Sequence, residues 1–142
     1  MIYDYDGKPR NLKKLVLEEA LAYAKKYLKL SDASYVLIEF TKDCDAFGYA
    51  HDEGDHDYHI EINKTYNVSL MLGTLFHELT HIQQYESGRL VITHGEDPDM
   101  WEGLLVTASY DDQPWEQEAF DLEKKMLRNF KRNFKKKYNY AI

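Results

Sequence analysis

The sequence predicts an α+β fold, with helices packed on one small mixed or antiparallel sheet. Helical patterns of apolar residues lie near each end and in the middle of the chain, and short apolar segments typical of strands lie between them. Helices and strands do not alternate one by one, which argues against a regular parallel βαβ architecture. The length of 142 residues suits one hydrophobic core, so we expect a single domain over residues 1–142.

The first half of the chain contains one predicted helix and two or three predicted strands. Residues 11–29 have the pattern of an amphipathic helix, and residues 35–40 form a nearly continuous apolar run, as in a buried central strand. Residues 47–50 could form a short strand, and the polar residues 51–57 after it are expected to form an exposed loop. Residues 58–63 alternate between apolar and polar, which predicts a strand that could lie at a sheet edge.

The second half of the chain contains two further predicted helices. Asn67 is a suitable N-cap for the most hydrophobic helix of the chain, which should end near Gly88. Residues 89–94 and 100–107 resemble two strands joined by a polar turn. Pro114 suits the first turn of a last helix that continues towards the C-terminus.

Composition excludes several classes of protein. Hydrophobic residues make up 44% and charged residues 30%, which is typical of globular chains. No segment approaches the roughly 20 apolar residues of a membrane span, and residues 1–6 lack the features of a signal peptide, so we expect a cytoplasmic protein without a membrane partner. Cys44 is the single cysteine, so a metal site would need His, Asp or Glu ligands.

The charge is unevenly distributed along the chain. Residues 124–137 contain eight basic residues and no acidic one, whereas the whole chain has a formal charge of -7. Because these cations lie at the end of a predicted helix, we interpret them first as its solvated face. Contact with nucleic acid or with an acidic partner is the alternative interpretation.

The chemically informative segment is His77-Glu78-Leu79-Thr80-His81, an HExxH motif inside the predicted hydrophobic helix. Residues four apart lie one above the other on a helix, so both histidines can direct a ring nitrogen at one ion, and this is a zinc-ligand spacing. Glu78 is rotated about 100 degrees from His77 around the helix. That position suits a general base that acts on a zinc-bound water without being a ligand.

A catalytic zinc site usually needs a third protein ligand beyond the two histidines. The metzincin pattern HExxHxxGxxH is excluded, because Gln84 and Ser87 occupy its glycine and third-histidine positions. The remaining downstream candidates are His94, Glu96, Glu102, Glu116 and Glu118. The last two are favoured because they start a helix that could pack beside the HExxH helix, and we prefer Glu116.

The chain resembles the gluzincin branch of the zincin metallopeptidases, in which a glutamate ligand on a second helix follows the HExxH helix. In several gluzincin groups this ligand is the first residue of an ExxA segment, as Glu116 is relative to Ala119. The resemblance therefore implies a zincin-like fold, Zn²⁺ as the cofactor, and His77, His81 and Glu116 as its ligands. It also implies that Glu118 points elsewhere.

Residues 101–103 and 110–119 make the chain similar to small, often phage-encoded predicted metallopeptidases, and this similarity covers about residues 58–123. Many larger gluzincins carry an acidic residue four positions after the ligand glutamate, where this chain has Phe120. Asp121 is the nearest acidic residue, but on a helix it points about 100 degrees away from position 120.

Two other residues could contribute to the site. SprT-like metallopeptidases use a third histidine beyond HExxH, so this weaker resemblance would make His94 the ligand instead of Glu116. If His94 is not a ligand, it or Tyr110 could donate a hydrogen bond to the oxyanion, as a Tyr or His does in related peptidases. Tyr110 is the first choice for this role.

Residues 51–59 contain three histidines and four acidic residues, which makes a second metal site conceivable. The segment lacks the spacing of a calcium loop, so we expect it to be solvated rather than metal-bound. In zincins the strand before the active-site helix borders the cleft and pairs with an extended substrate. The resemblance places residues 59–63 there.

The resulting hypothesis is a zinc metallopeptidase that hydrolyses peptide or protein substrates, with Glu78 as the general base and Tyr110 as the oxyanion donor. The competing hypothesis is a zinc-stabilised, non-catalytic binding module that contacts nucleic acid or an acidic partner through residues 124–137. The acidic remainder of the chain makes nucleic acid the less favoured partner.

Overall fold

The protein has the predicted α+β fold, with three helices and two small sheets in residues 1–95 and 97–142, which the computed structural model describes. In chain order the elements are β1 (Ile2–Asp6), α1 (Lys14–Leu28), β2 (Tyr35–Thr41), β3 (Gly48–Gly54), β4 (Asp57–Asn63), α2 (Val68–Glu86), β5 (Leu90–Val91), β6 (Met100–Trp101), β7 (Leu104–Leu105) and α3 (Pro114–Tyr138). A short 3-10 turn at Tyr110–Asp112 precedes α3. The three helices are the predicted N-terminal, HExxH and C-terminal helices.

The larger sheet is mixed and has one buried face. Its strand order is β1-β2-β4-β3, with β1, β2 and β4 parallel and β3 antiparallel to β4. Alternate residues of β2 and β4, such as Val36, Ile38, Ile60 and Ile62, are fully buried in the core that the sheet shares with the helices. The side chains between them face the other side, so the sheet and the helices form two layers around one core.

β2 lies in the interior of the sheet, which confirms the predicted central strand. The prediction that residues 58–63 could lie at a sheet edge is wrong. β4 pairs with β2 on one side and with β3 on the other. The edge on this side of the sheet is therefore β3.

Residues 51–57 are exposed as predicted, but the prediction that they form a loop is wrong, because β3 extends into them. The strand continues to Gly54, and only Asp55 and His56 form the turn to β4, with φ angles of 54° and 60°. Two residues in this conformation make the tight turn that matches the twist of a β-hairpin. The polar composition of residues 51–54 reflects the fully exposed end of an edge strand rather than a loop.

α2 passes through the middle of the core. Oδ1 of Asn67 accepts a hydrogen bond of 2.9 Å from the backbone N–H of Leu70, which confirms Asn67 as the N-cap. The helix ends at Glu86, and Gly88 follows with a φ of 74°, close to the predicted end. Its core-facing residues are at most 1% exposed and include Leu72, Leu75, Phe76, Leu79 and Ile82.

The smaller sheet is shorter and more divided than predicted. β5 and β6 have two residues each. Residues 100–107 are not one strand, because Glu102 and Gly103 turn the chain between β6 and β7 with φ angles of 51° and 84°. The turn predicted before residue 100 includes Glu96, which lies outside the described residues.

α3 begins at Pro114 as predicted and runs for 25 residues. Its residues Ala119, Met126, Phe130 and Phe134 are buried, whereas the cations of residues 124–137 lie mostly on the exposed side. None of the helices in the described parts of the chain is long and apolar enough to cross a membrane.

Candidate metal centre

Three of the residues identified from the sequence meet where α2 packs against α3. The Nε2 atoms of His77 and His81 lie 3.0 and 2.8 Å from the same atom, Oε1 of Glu116. All three residues are buried, with at most 7% of their surface exposed. The structure thus brings the two HExxH histidines to the glutamate of the second helix.

Local structure explains this convergence. His77 and His81 are one turn apart on α2, and their ring centroids are 4.9 Å apart. Glu116 lies in the first turn of α3, whose start is set by Pro114. Ala119, one turn further along α3, is fully buried, and its small side chain leaves room for close helix packing.

Each imidazole is held by an acceptor at its other ring nitrogen. Nδ1 of His77 lies 2.9 Å from Oε1 of Glu123, and Nδ1 of His81 lies 2.7 Å from Oε1 of Gln84. Because a carboxylate or an amide oxygen can only accept, both Nδ1 atoms carry a proton. The Nε2 atoms can then bind a cation through their lone pairs, as in other metal-binding histidines.

Glu123 is a site residue that the sequence motifs do not identify. It lies seven residues after Glu116, about two helical turns, so both carboxylates project from one side of α3, and this spacing is the signal that could have found it. Phe120, where larger gluzincins have an acidic residue, instead packs in a T-shaped contact with His77, with ring centroids 4.7 Å apart. Asp121 is exposed. Glu123 therefore supplies the acceptor for Nδ1 of His77 that neither Phe120 nor Asp121 provides.

Gln84 connects His81 to a polar network that reaches the surface. Its Nε2 donates to the carbonyl of Trp115 at 3.0 Å and to Oε1 of Glu118 at 3.1 Å, which fixes the orientation of the amide. Arg89 donates two hydrogen bonds of 2.6 and 2.9 Å to the carboxylate of Glu118. Glu118 therefore points away from the histidine pair, as the resemblance implies.

Among the described residues, the other candidate third ligands lie away from the two histidines. His94 is exposed and lines a groove that includes Leu90 and Val91 but neither histidine of the motif. Glu102 is exposed and forms an ion pair of 3.0 Å with Arg89. Glu96 lies outside the described residues.

Glu78 and Tyr110 line an open cleft beside the histidines and Glu116. Both residues line two adjoining cavities, one next to His77 and the other next to His81 and Glu116. Glu78 is 6% exposed and Tyr110 is 56% exposed, so the glutamate lies deep in the cleft and the tyrosine at its rim. Partial burial and the charge of Glu116 raise the pKa of Tyr110 above its usual range.

The charges of this cluster shift the pKa values of its members in the metal-free protein. Burial raises the pKa of Glu78 to about 7, although the nearby imidazoles partly oppose this shift. Burial disfavours charged His77, but hydrogen bonds to Glu116 and Glu123 outweigh it and raise the His77 pKa to about 10. His81 has its pKa raised in the same way. At Glu116, burial is outweighed by the hydrogen bonds from both imidazoles, which lower its pKa to about 2.

The strand that borders the cleft is β3. The expectation that residues 59–63 pair with an extended substrate there is wrong, because β4 is already paired on both edges. Gly48 and Ala50 of β3 line the cleft. A Cβ atom at Gly48 would lie 2.6 Å from Cγ2 of Thr74 and 2.7 Å from the backbone oxygen of Glu61, so only glycine allows β3 to approach α2 this closely. The outer edge of β3 is therefore the backbone available to an extended ligand.

No family model, no curated protein and no solved structure matches the chain. The chemistry of the cluster therefore carries the functional assignment. His77, His81 and Glu116 each offer one ligand atom in a buried group. Two imidazole nitrogens and one carboxylate oxygen form a donor set that fits zinc.

Proposed function

We propose that the protein is a zinc-dependent peptidase of the gluzincin type. The observation that supports this most strongly is the convergence of His77, His81 and Glu116 beside Glu78 in an open cleft. The resemblance of the HExxH and ExxA segments to gluzincin enzymes supports the same function.

The spacing of the three ligand atoms suits a zinc ion. Zinc–nitrogen and zinc–oxygen distances of about 2.0–2.1 Å place tetrahedral ligand atoms about 3.3 Å apart. The distances of 3.0 and 2.8 Å from the Nε2 atoms to Oε1 of Glu116 need only a small outward adjustment to reach this spacing. Zinc held there supplies a Lewis acid that acidifies water and polarises a carbonyl group.

Glu78 is the residue that moves the proton. It takes a proton from the water that attacks the peptide carbonyl, and it delivers this proton to the leaving amine as the C–N bond breaks. In the metal-free protein, burial raises the pKa of Glu78 above its ordinary value, which makes this carboxylate a better proton acceptor than an exposed one.

Tyr110 is the candidate donor to the oxyanion. Its hydroxyl is protonated at neutral pH, as tyrosine hydroxyls ordinarily are, and its ring lies at the rim of the cleft that Glu78 lines. A donor placed there stabilises the negative charge that develops on the substrate carbonyl oxygen.

The cleft favours an extended peptide as the substrate. The outer edge of β3 offers backbone donors and acceptors to a peptide that lies along it, a mode of binding that depends little on sequence. The cavity beside His77 is also lined by Phe47, Leu70 and Phe120, so it suits an apolar side chain of the substrate.

The test is the hydrolysis of a denatured protein and of a mixed peptide library by zinc-loaded protein, read by mass spectrometry. We expect Glu78→Gln to retain zinc and to lower the cleavage rate by at least about 100-fold, because it removes the general base. Glu18→Gln, a partly exposed glutamate on α1, is the matched control and should cleave like wild type. Undiminished cleavage by Glu78→Gln would refute the base assignment, and no cleavage by zinc-loaded wild type would count against a peptidase.

A further inference from the structure

A second group of metal-binding side chains lies on the solvent face of the larger sheet. His51 of β3 is paired with His59 of β4, and Glu61 of β4 is paired with Glu39 of β2. Because side chains alternate along a strand, these four project from the same face of the sheet. The centre between α2 and α3 lies on the opposite, core-facing side.

Residues 51–59 are largely exposed, but they form a β-hairpin rather than a loop. His51 and His59 are cross-strand neighbours in a hairpin, and their ring centroids are 5.7 Å apart with the planes inclined by 31°. Directly opposite residues in such a pair have Cβ atoms about 4.5–5.5 Å apart, so two imidazoles can reach one ion.

The donor atoms of this group are close to the spacing that a metal ion requires. One donor atom from each of His51, His59 and Glu61 lies within 4.8 Å of the others. Nε2 of His51 is 4.0 Å from Oε1 of Glu61, and Nε2 of His59 is 2.9 Å from Oε1 of Glu39. Donor atoms around a tetrahedral zinc ion are about 3.3 Å apart, and these two distances bracket that value. Side-chain rotation can therefore complete the site.

The charge of the sheet is an independent reason for a bound cation. The four strands β1 to β4, all of them described, contain seven acidic residues and no lysine or arginine. Glu39 and Glu61 are nearest neighbours in the parallel register, and adjacent like charges destabilise a sheet. Nε2 of His59 is buried and lies near Glu39, but it makes no hydrogen bond of good geometry with the described residues. A divalent cation would bind this nitrogen and neutralise the paired carboxylates.

We propose that His51, His59, Glu61 and Glu39 bind a second divalent cation, with zinc or another late first-row metal as the fitting class. Two imidazoles and two carboxylates suit such ions. The ion links β2, β3 and β4, and it fixes the edge strand that borders the cleft. The four side chains are 22–45% exposed, so this site binds its ion more weakly than the buried centre and exchanges it with solvent. The proposal does not depend on peptidase activity.

The experiment is a zinc titration of the metal-stripped full-length protein, with a chromophoric chelator as competitor and histidine-ring ¹H–¹⁵N spectra as a second readout. We expect two classes of bound zinc, with ring signals of His51 and His59 shifting as the weaker class fills. His51→Gln and Glu61→Gln should each weaken that class at least about tenfold. His56→Asn is the matched control, because it removes a histidine from the same hairpin and Asn tolerates the positive φ of that turn.

Glu116→Gln separates the outcomes at the two sites. It should weaken the tighter class of zinc and leave the ring signals of His51 and His59 shifting as in wild type. The proposal would be overturned if wild type bound a single class of zinc and the ring signals of His51 and His59 did not shift. A titration unchanged in both His51→Gln and Glu61→Gln would also overturn it, whatever happens at the buried centre.

Discussion

His77 and His81 each depend on a neighbour that determines which ring nitrogen carries the proton. Glu123 and Gln84 accept from the two Nδ1 atoms and leave the Nε2 atoms facing Glu116. Such partners orient the imidazole and increase its basicity, so metal affinity depends on residues that do not touch the metal.

Replacing Glu123 by alanine should weaken zinc binding about 10–100-fold while the three ligands remain. The reason is that the His77 ring loses the acceptor that fixes its orientation. Competition with a chromophoric chelator measures this change. Asp121→Ala removes an exposed carboxylate from the same helix and should change the affinity little. Equal affinities of the two variants would contradict this role of Glu123.

The metal-free protein should be most stable near pH 4.5 and should lose stability as the pH rises or falls from there. His77 has its pKa raised from 6.5 to about 10, so its contribution is fully present below pH 6.5 and is lost as the pH rises towards 10. Burial raises the pKa of Glu78 from 4.5 to about 7, so its ionisation costs stability as the pH rises through this interval. Glu116 has its pKa lowered from 4.5 to about 2, so its contribution is lost as the pH falls below 4.5.

Urea unfolding in the presence of a chelator, from pH 3 to pH 10, tests this dependence. Glu78→Gln should remove the part of the decline that lies between pH 4.5 and 7 and keep the later part. A free energy of unfolding that stays constant or rises between pH 6.5 and 10 would contradict the assignment of His77.

At the scale of elements, the approach of β3 to α2 forms the cleft. Gly48 permits this approach, because a Cβ atom there would overlap both Thr74 and the backbone of Glu61. The backbone of Glu61 is held in β4 and cannot move aside as the end of a flexible side chain could. This contact therefore determines the position of the strand beside Glu78.

Gly48→Ala should destabilise the protein by about 1–3 kcal/mol, the usual range for overpacking, and should reduce cleavage by displacing β3. Chemical unfolding and peptide hydrolysis measure the two effects. Gly95→Ala is the matched control, because no described atom lies within 4 Å of a Cβ at that position, so its stability should stay close to wild type. A fully stable Gly48→Ala variant would show that the strand can move without cost.

The basic part of α3 has the arrangement of a solvated helix face. Phe130 and Phe134 face the core, while most cations of residues 124–137 are exposed and Lys137 pairs with Glu19 at 3.1 Å. We expect no binding of DNA or RNA at physiological ionic strength, since most other charges of the chain are acidic. Fluorescence anisotropy over a salt series tests this. Salt-sensitive binding that is lost in Lys135→Gln/Lys136→Gln would favour the binding-module hypothesis.

The elements that sequence patterns predict best are those whose residues carry the signal locally. The N-cap at Asn67 and the proline at the start of α3 act within one turn of a helix, so both boundaries could be read from the sequence. The extent of β3 could not, because its polar residues 51–54 become a strand only by pairing with β4. The interior position of β4 likewise depends on a parallel partner 22 residues earlier in the chain, as in the Tyr35 and Asp57 pair.

The same distinction applies to the candidate site. The HExxH spacing alone places His77 and His81 on one face of a helix and Glu78 next to them. The choice of Glu116 depended on a predicted second helix and on the family resemblance, because its distance from the histidines is set by the packing of α3 on α2. Helix spacing could have found the acceptors for the two Nδ1 atoms, because Glu123 lies seven residues after Glu116 and Gln84 lies three residues after His81.

At the scale of the whole molecule, β3 connects the two candidate metal sites. Its core-facing side lines the cleft through Gly48 and Ala50, and its solvent face carries His51. An ion bound at the outer site would restrict the movement of this edge strand relative to β4. The stability of the cleft wall would then depend on the supply of a second ion.

The zinc content of purified protein tests the identity of the third ligand most directly. It is measured by elemental mass spectrometry after dialysis against a weak chelator, which removes loosely held metal. We expect about one zinc per wild-type chain, retained in His94→Ala and lost in Glu116→Ala, because only the glutamate meets the two histidines. Retention in Glu116→Ala with loss in His94→Ala, or a wild-type chain that holds no zinc, would contradict the proposed centre.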